Sequence, residues 1–371
     1  MHAAPPTPRP AAPGPRTRLS CAPARGLWPA GAGAGPPAWQ RAGLLGPAWR
    51  PATLKLARAG SDPDGLAPLS GAFAGVLCIS FSGILVRLSG VPPVVSALWR
   101  TLFASAFLLA LSALRRERCS DLLAPLPLLA GALLGADLLA WHGSIVRIGA
   151  GLATVLPNLQ VIGVGLVSML LFGERPGRLF WLGLPPVFGG VWILGATGAP
   201  VAPDASVAWG VTLGLITAAF YTGYLLVLRQ ARLRHPERST LATVSALTLG
   251  AAAVTACGAL VDKDLSLPPS WAATGWLVLL GVGVHSLGWL LLTASIHRIP
   301  AALTSVALLL QPLLALGWGI VFLAEPIGPA QAIGALLLLA GVGLARRGAA
   351  SAAPIPAPAP VIDGVAGDPG R

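Results

Sequence analysis

The chain writes one long stretch twice. Residues 144–191, SIVRIGAGLATVLPNLQVIGVGLVSMLLFGERPGRLFWLGLPPVFGGV, recur without a gap at 295–342: Ser144 pairs with Ser295, Arg147 with Arg298, Gln160 with Gln311, Glu174 with Glu325, Gly183 with Gly334 and Gly190 with Gly341, always 151 residues apart. Roughly three positions in ten are identical, where so biased a composition gives about one in ten by chance, so the repeat is an internal duplication. Both copies are nearly continuous apolar runs, each broken once by Gly-Glu or Ala-Glu close to a proline. The unit that was duplicated therefore reads as a membrane unit.

Composition settles the class. Of 371 residues 55% are hydrophobic and only 10% charged, and stretches of about twenty residues with at most one charge recur along the chain, the length that crosses the hydrocarbon layer. The spans expected from this pattern are 68–88, 93–114, 124–146, 150–172, 178–197, 207–229, 239–261, 271–296, 301–323 and 329–346. The expected fold class is an all-α polytopic membrane protein.

Loop charge orients it. Arg115, Arg116 and Arg118 follow the second span, Arg175 and Arg178 the fourth, Arg229, Arg232, Arg234 and Arg238 the sixth, and Arg346 and Arg347 the tenth, while the alternate loops hold only Arg87, Arg147 and Lys263 beside Asp204, Asp262 and Asp264. The positive-inside rule then puts both termini in the cytoplasm of a cell whose inner membrane holds the chain. Five spans per copy is an odd number, so the second copy enters with opposite orientation. The expectation is ten transmembrane helices in two inverted five-helix repeats, an architecture used by secondary transporters because two related halves can exchange inward-open and outward-open shapes. The expected organisation is a Pro/Ala/Arg-rich disordered tail at 1–66, repeats at 68–197 and 207–347, and a disordered tail at 348–371. The first tail also admits an upstream start codon chosen in error or an organelle transit peptide.

The repeated pattern IVRIGAGLATVLPNLQ…LLFGERPGRLFWLGLPPVFGGVWIL and IHRIPAALTSVALLLQPLLA…FLAEPIGPAQAIGALLLLAGVGL, with Arg100 in SALWRTLFASA, resembles the EamA family of the drug/metabolite transporter superfamily across residues 68–347. That resemblance implies a carrier of small organic solutes, often amino acids or related metabolites, and frequently an exporter; the alternatives are a phosphorylated-sugar or nucleotide-sugar antiporter of the same fold, or a membrane scaffold or sensor whose repeats do not transport.

Ionisable residues inside apolar spans are the candidates for function. Asp137 lies near the middle of the third span, where a carboxylate must face a cavity or a partner. Helical spacing groups it with Trp141 and Ser144 on one face, and groups His285 with Gly288 and Trp289 on a face of the eighth span. The repeat offset sets Asp137 opposite Gly288, so the expectation is a central cavity lined by Asp137, Trp141, His285 and Trp289 that binds protons or polar substrate. The plainer alternative is hydrogen bonding between neighbouring helices. Arg100 either binds a substrate carboxylate or plays a structural part, and the structural part is favoured. Asn158, Gln160, Gln311, Tyr221, Thr222 and Tyr224 are polar or amphipathic groups inside apolar runs, and Pro157 and Pro312 beside two of them are candidate gate hinges. Glu174 and Glu325 sit at helix ends and suit capping or loop pairing better than transport chemistry. Glycines in the fifth and tenth spans suit either peripheral packing or a homodimer.

The remaining signals are negative. The net charge of +12 follows the topology and lacks the aromatic interleaving of a nucleic-acid surface, so no nucleic acid is expected. Cys21, Cys78, Cys119 and Cys257 share no metal spacing, and no phosphate-cradling loop, HExxH or acidic cluster occurs, so neither a metal, a cofactor nor an enzyme is expected. The partners expected are a small-molecule substrate and the lipid bilayer.

Overall fold

The computed structural model describes residues 66–172, 176–197, 205–296, 301–325 and 327–350. Nearly all of the two expected tails, and with them Cys21, lie outside the described residues, as do Glu174 and Arg298. The described chain is helical without strands. Its spans are α1 (Leu66–Ser80 continued by Ser82–Ser89), α2 (Pro93–Leu114), α3 (Pro125–Ile148), α4 (Ala150–Val155, a tighter turn at Leu156–Leu159, then Gln160–Phe172) and α5 (Arg178–Thr197). The second half holds α6 (Val207–Arg234), α7 (Thr240–Val261), α8 (Trp271–Val278, a π-helical stretch Leu279–Gly288, then Trp289–Ile296), α9 (Ala301–Leu323) and α10 (Pro329–Ala350). Among the described residues nine of these are long and apolar enough to cross a membrane, and α9 contributes the shorter apolar stretch Ala307–Leu323. At 1.5 Å rise, about twenty residues match the hydrocarbon thickness of about 30 Å.

Local chemistry places the helix starts. Ser206, Ser239 and Ser270 are the N-caps of α6, α7 and α8, each accepting the backbone N–H three residues on, at 3.2, 2.9 and 3.1 Å. Prolines open α2 and α3, where the missing N–H costs nothing. Gly90, at φ 65°, ends α1 in the left-handed conformation that glycine adopts without strain.

The packing has two-fold order. Helix α1 packs on α8 and α9, as α6 packs on α3 and α4; α2 packs on α8, as α7 packs on α3; and α2–α7, α4–α9 and α5–α10 pack as self-paired sets. Exchanging each helix for the one five later leaves this set unchanged. Helices α3 and α8 each pack on both α2 and α7 but not closely on one another, so the centre of the bundle lies between them. The inversion follows from one contact. Successive turns alternate faces, so the turn before α4 and the turn after it lie on opposite sides; yet Glu325, the repeat partner of Glu174 in the turn after α4, bonds to Ala150 at the start of α4. The second copy is therefore upside down relative to the first.

The π-helical stretch in α8 breaks this order by one residue. A Cβ built on Gly131 of α3 would collide with Leu247 O and lie 3.0 Å from Ala251 N, while one built on Gly281 of α8 would lie 2.6 Å from Arg100 O and 3.1 Å from Ala104 N. Gly281 thus sits on α2 as Gly131 sits on α7, at a separation of 150, whereas Ser144 and Ser295 are 151 apart. The extra residue is taken up by the wide turn, and Ser286 Oγ donates to Gly281 O at 3.0 Å across it.

Glycines of α5 and α10 face each other. A Cβ on Gly183 would come 2.5 Å from Gly341 O, and one on Gly190 would come 2.5 Å from Gly334 O. These small faces are buried in the α5–α10 crossing inside one chain, so a homodimer cannot use them. The outer side of α5 carries Trp181, Phe188 and Trp192 exposed, as a lipid-facing surface requires.

Candidate functional site

Arg100, two turns into α2, is buried between the two halves. Its Nε donates to Nδ1 of His285 on α8 at 3.3 Å, and Nη1 lies 3.4 Å from Nε2 of His142 on α3. A guanidinium only donates, so both ring nitrogens accept, and each imidazole must carry its single proton on the far nitrogen. His142 Nδ1 then donates to Ser96 Oγ at 2.6 Å, which donates to Pro93 O at 2.9 Å. His285 Nε2 donates to Thr248 Oγ1 at 3.3 Å, which donates to Val244 O at 2.8 Å. Two chains of bonds with one consistent direction run from Arg100 to helix carbonyls. The guanidinium carbon also lies 5.6 Å from the ring centroid of Trp141, a cation–π contact, and the Trp141 indole N–H donates to Ala153 O at 3.2 Å.

Asp137 sits in the middle of α3, one turn before Trp141, with only 6% of its surface exposed. It lies within electrostatic reach of Arg100, Tyr221 and Tyr224, but no ion pair joins it to Arg100 and its Oδ1 has no hydrogen-bond partner among the described residues. A buried carboxylate oxygen left without a donor is costly, typically about 1–3 kcal/mol or more. The neighbouring wall is aromatic. Tyr221 and Tyr224 of α6 have ring centroids 5.3 Å apart, and Tyr224 meets Trp289 of α8 edge to face at 6.4 Å. The ring contact bridges α6 and the central helix α8.

Most residues expected at a central site thus occur near one another, in two groups: Arg100, Trp141 and His285 with His142, and Asp137 with Tyr221 and Tyr224, to which Trp289 is joined through Tyr224. The expected shared face of His285, Gly288 and Trp289 does not form. His285 meets α2 and α7, Gly288 lies against Cys78 and Ile79 of α1, and Trp289 meets α6. The π-helical turn is the cause, because residues three and four apart no longer stack on one side. Ser144 likewise leaves the Trp141 environment, donating to Gly210 O of α6 at 2.8 Å.

Other candidates stand elsewhere. Asn158 Nδ2 donates to Thr154 O and Val155 O of its own helix at 3.1 and 3.2 Å, around the tight turn that holds Pro157. Pro312 lies inside an unbroken α9, so the helix tightens at one proline of the pair only. Gln160 meets Thr222 through its backbone oxygen at 3.5 Å, and Gln311 is half-buried; no described contact brings either side chain to Arg100 or Asp137. Arg147 donates to Gly143 O of its own helix at 2.8 Å. His142 is the residue of the Arg100 network that pattern reading overlooks. A histidine inside an apolar span next to Trp141 is a signal, but its burial against Arg100 depends on a long-range contact.

A second buried carboxylate is satisfied. Glu325 Oε1 accepts Ala150 N at 2.7 Å and Oε2 accepts Gly151 N at 3.3 Å, capping α4 from the other half. Gly149 precedes the cap at φ 88°, and a Cβ there would strike the carboxylate.

A two-fold bundle with polar and charged groups buried between its halves is an arrangement for passing solutes, and comparisons agree. The sequence profile of the EamA-like transporter family matches residues 67–196 and 208–347. The chain is 28% identical over 230 residues to the pseudopaline exporter CntI of Pseudomonas aeruginosa, covering 60% of this chain and 75% of that protein. It is 23% identical over 239 residues to the uncharacterized transporter YwfM of Bacillus subtilis strain 168, covering 64% and 78%. A solved crystal structure shares the fold with a TM-score of 0.53 at 19% identity, over 74% of this chain and 97% of its own. Both five-helix repeats carry the family's profile, and this multi-pass membrane protein belongs to the EamA-like transporter family.

Proposed function

We propose that the protein is a secondary transporter that exports small organic metabolites, with amino acids the first class to test, by alternating access around the site between α3 and α8. The observation that carries this reading is Asp137: a carboxylate at mid-membrane, buried between two inverted halves, with an oxygen that no described group of the protein satisfies. The pseudopaline exporter among its relatives supports the outward direction. The excess of arginine in alternate loops supports both termini in the cytoplasm and an inner-membrane location. Proton or substrate gradients supply the drive.

A phosphorylated-sugar or nucleotide-sugar antiporter of the same fold is less well supported. Phosphate recognition uses clustered basic groups, whereas Arg100 is already engaged by two imidazoles and an indole. The test is flux into proteoliposomes with a panel of labelled amino acids, related metabolites and sugar phosphates, with and without an imposed pH gradient. Gradient-stimulated movement of an organic metabolite supports the reading. Movement of sugar phosphates alone, or of nothing in the panel, contradicts it.

A further inference from the structure

Two ionisable side chains lie within electrostatic reach of one another at the centre of the bundle, and the protein treats them differently. Arg100 commits Nε and Nη1 to His285 and His142 and lies against the face of Trp141. Turning those two nitrogens toward a substrate carboxylate would break both bond chains at once. Asp137 is the reverse case, since its Oδ1 is buried without a donor among the described residues. A solute that supplied the missing partner would complete the site, and the surroundings say what kind. Tyr221 and Tyr224 flank Gly223 of α6, where a Cβ would lie 3.3 Å from Leu133 of α3, one turn before Asp137, and Trp289 continues their aromatic wall through Tyr224. Aromatic faces carry negative quadrupole charge and attract cations; with a carboxylate they form the pairing that recognises ammonium groups.

We propose that the site recognises the positively charged nitrogen of an organic amine or quaternary ammonium, held by Asp137 and the rings of Tyr221, Tyr224 and Trp289, and does not engage a carboxylate of the solute. The inference rests on the reading of this site as the transport site and narrows its substrate class. For an amino acid, the ammonium is the group that is read and the carboxylate is carried along.

Calorimetric titration of the purified full-length protein in detergent distinguishes the cases, using phenethylamine, phenylalanine and 3-phenylpropionate near neutral pH. These share a ring and chain and differ in charge. Phenyltrimethylammonium adds a cation with no N–H. The expected result is binding of both cations, phenylalanine binding no tighter than phenethylamine, and no binding of 3-phenylpropionate. Asp137→Asn then weakens phenethylamine at least about tenfold, and Tyr224→Leu weakens it several-fold with the unfolding temperature retained. Should Asp137→Asn fail to fold, Tyr224→Leu and Asp137→Glu carry the test, the latter retaining binding. Tighter binding of 3-phenylpropionate or phenylalanine than of the amine, or amine binding indifferent to these substitutions, overturns the inference and leaves the transport reading standing. Absence of binding by all four probes overturns the inference; if the flux panel is also silent, the transport reading falls with it.

Discussion

Glu325, in the turn between α9 and α10, accepts the backbone N–H of Ala150 at 2.7 Å and so ties the second half of the chain to the first helical turn of α4. Charge-assisted bonds to a helix N-terminus contribute about 1.5–3 kcal/mol. Glu325→Ala is therefore expected to lower stability by about that much, whereas Glu325→Gln, which keeps an acceptor oxygen, loses less. Thermal unfolding in detergent gives the size. Hydrogen exchange at the Ala150 and Gly151 amides gives the place, with faster exchange in Glu325→Ala than in the parent protein.

Arg100 links α2 to α3 and α8 through two acceptors, so its effects are expected to couple with those of both histidines. Arg100→Ala and His285→Ala should each destabilise by about 1.5–3 kcal/mol, and the double variant should lose clearly less than the sum. Arg100→Lys should not restore stability, because one ammonium cannot span both imidazoles. A double-mutant cycle on unfolding free energies checks this; strict additivity would contradict the shared network.

The α5–α10 crossing predicts a sharp contrast among glycines. A side chain at Gly341 would meet Gly183 O at 2.6 Å and Val187 N at 2.8 Å, while Gly195 and Gly275 face open space. Gly341→Val should cost at least about 1–3 kcal/mol, and Gly195→Ala or Gly275→Ala close to nothing. Unfolding temperatures of the three variants decide it.

The helix spans and the repeat were legible because hydrocarbon thickness writes itself into the sequence as twenty-residue apolar runs, and a duplication keeps its register. The Arg100 network was not, for a physical reason: in the repeat frame Arg100 corresponds to Leu247, so nothing in the second copy announces it. The extra residue in α8 was also hidden. It falls between Gly281 and Ser295, upstream of the ungapped match that begins at Ser295, and it redirects His285 toward α2 and α7. Pattern reading placed Asp137 near the middle of its helix, where the structure has it, since a lone carboxylate in an apolar helix is visible without any contact map. The absence of a partner for its Oδ1 required the packed structure.

The measurement that bears most directly on the account is gradient-driven flux in proteoliposomes by the parent protein, Asp137→Asn and Asp137→Glu, with reconstitution matched by unfolding temperature. The account predicts that Asp137→Asn abolishes both flux and its response to an imposed pH gradient, and that Asp137→Glu retains part of each. Flux and pH response unchanged in Asp137→Asn would contradict a transport site centred on that carboxylate.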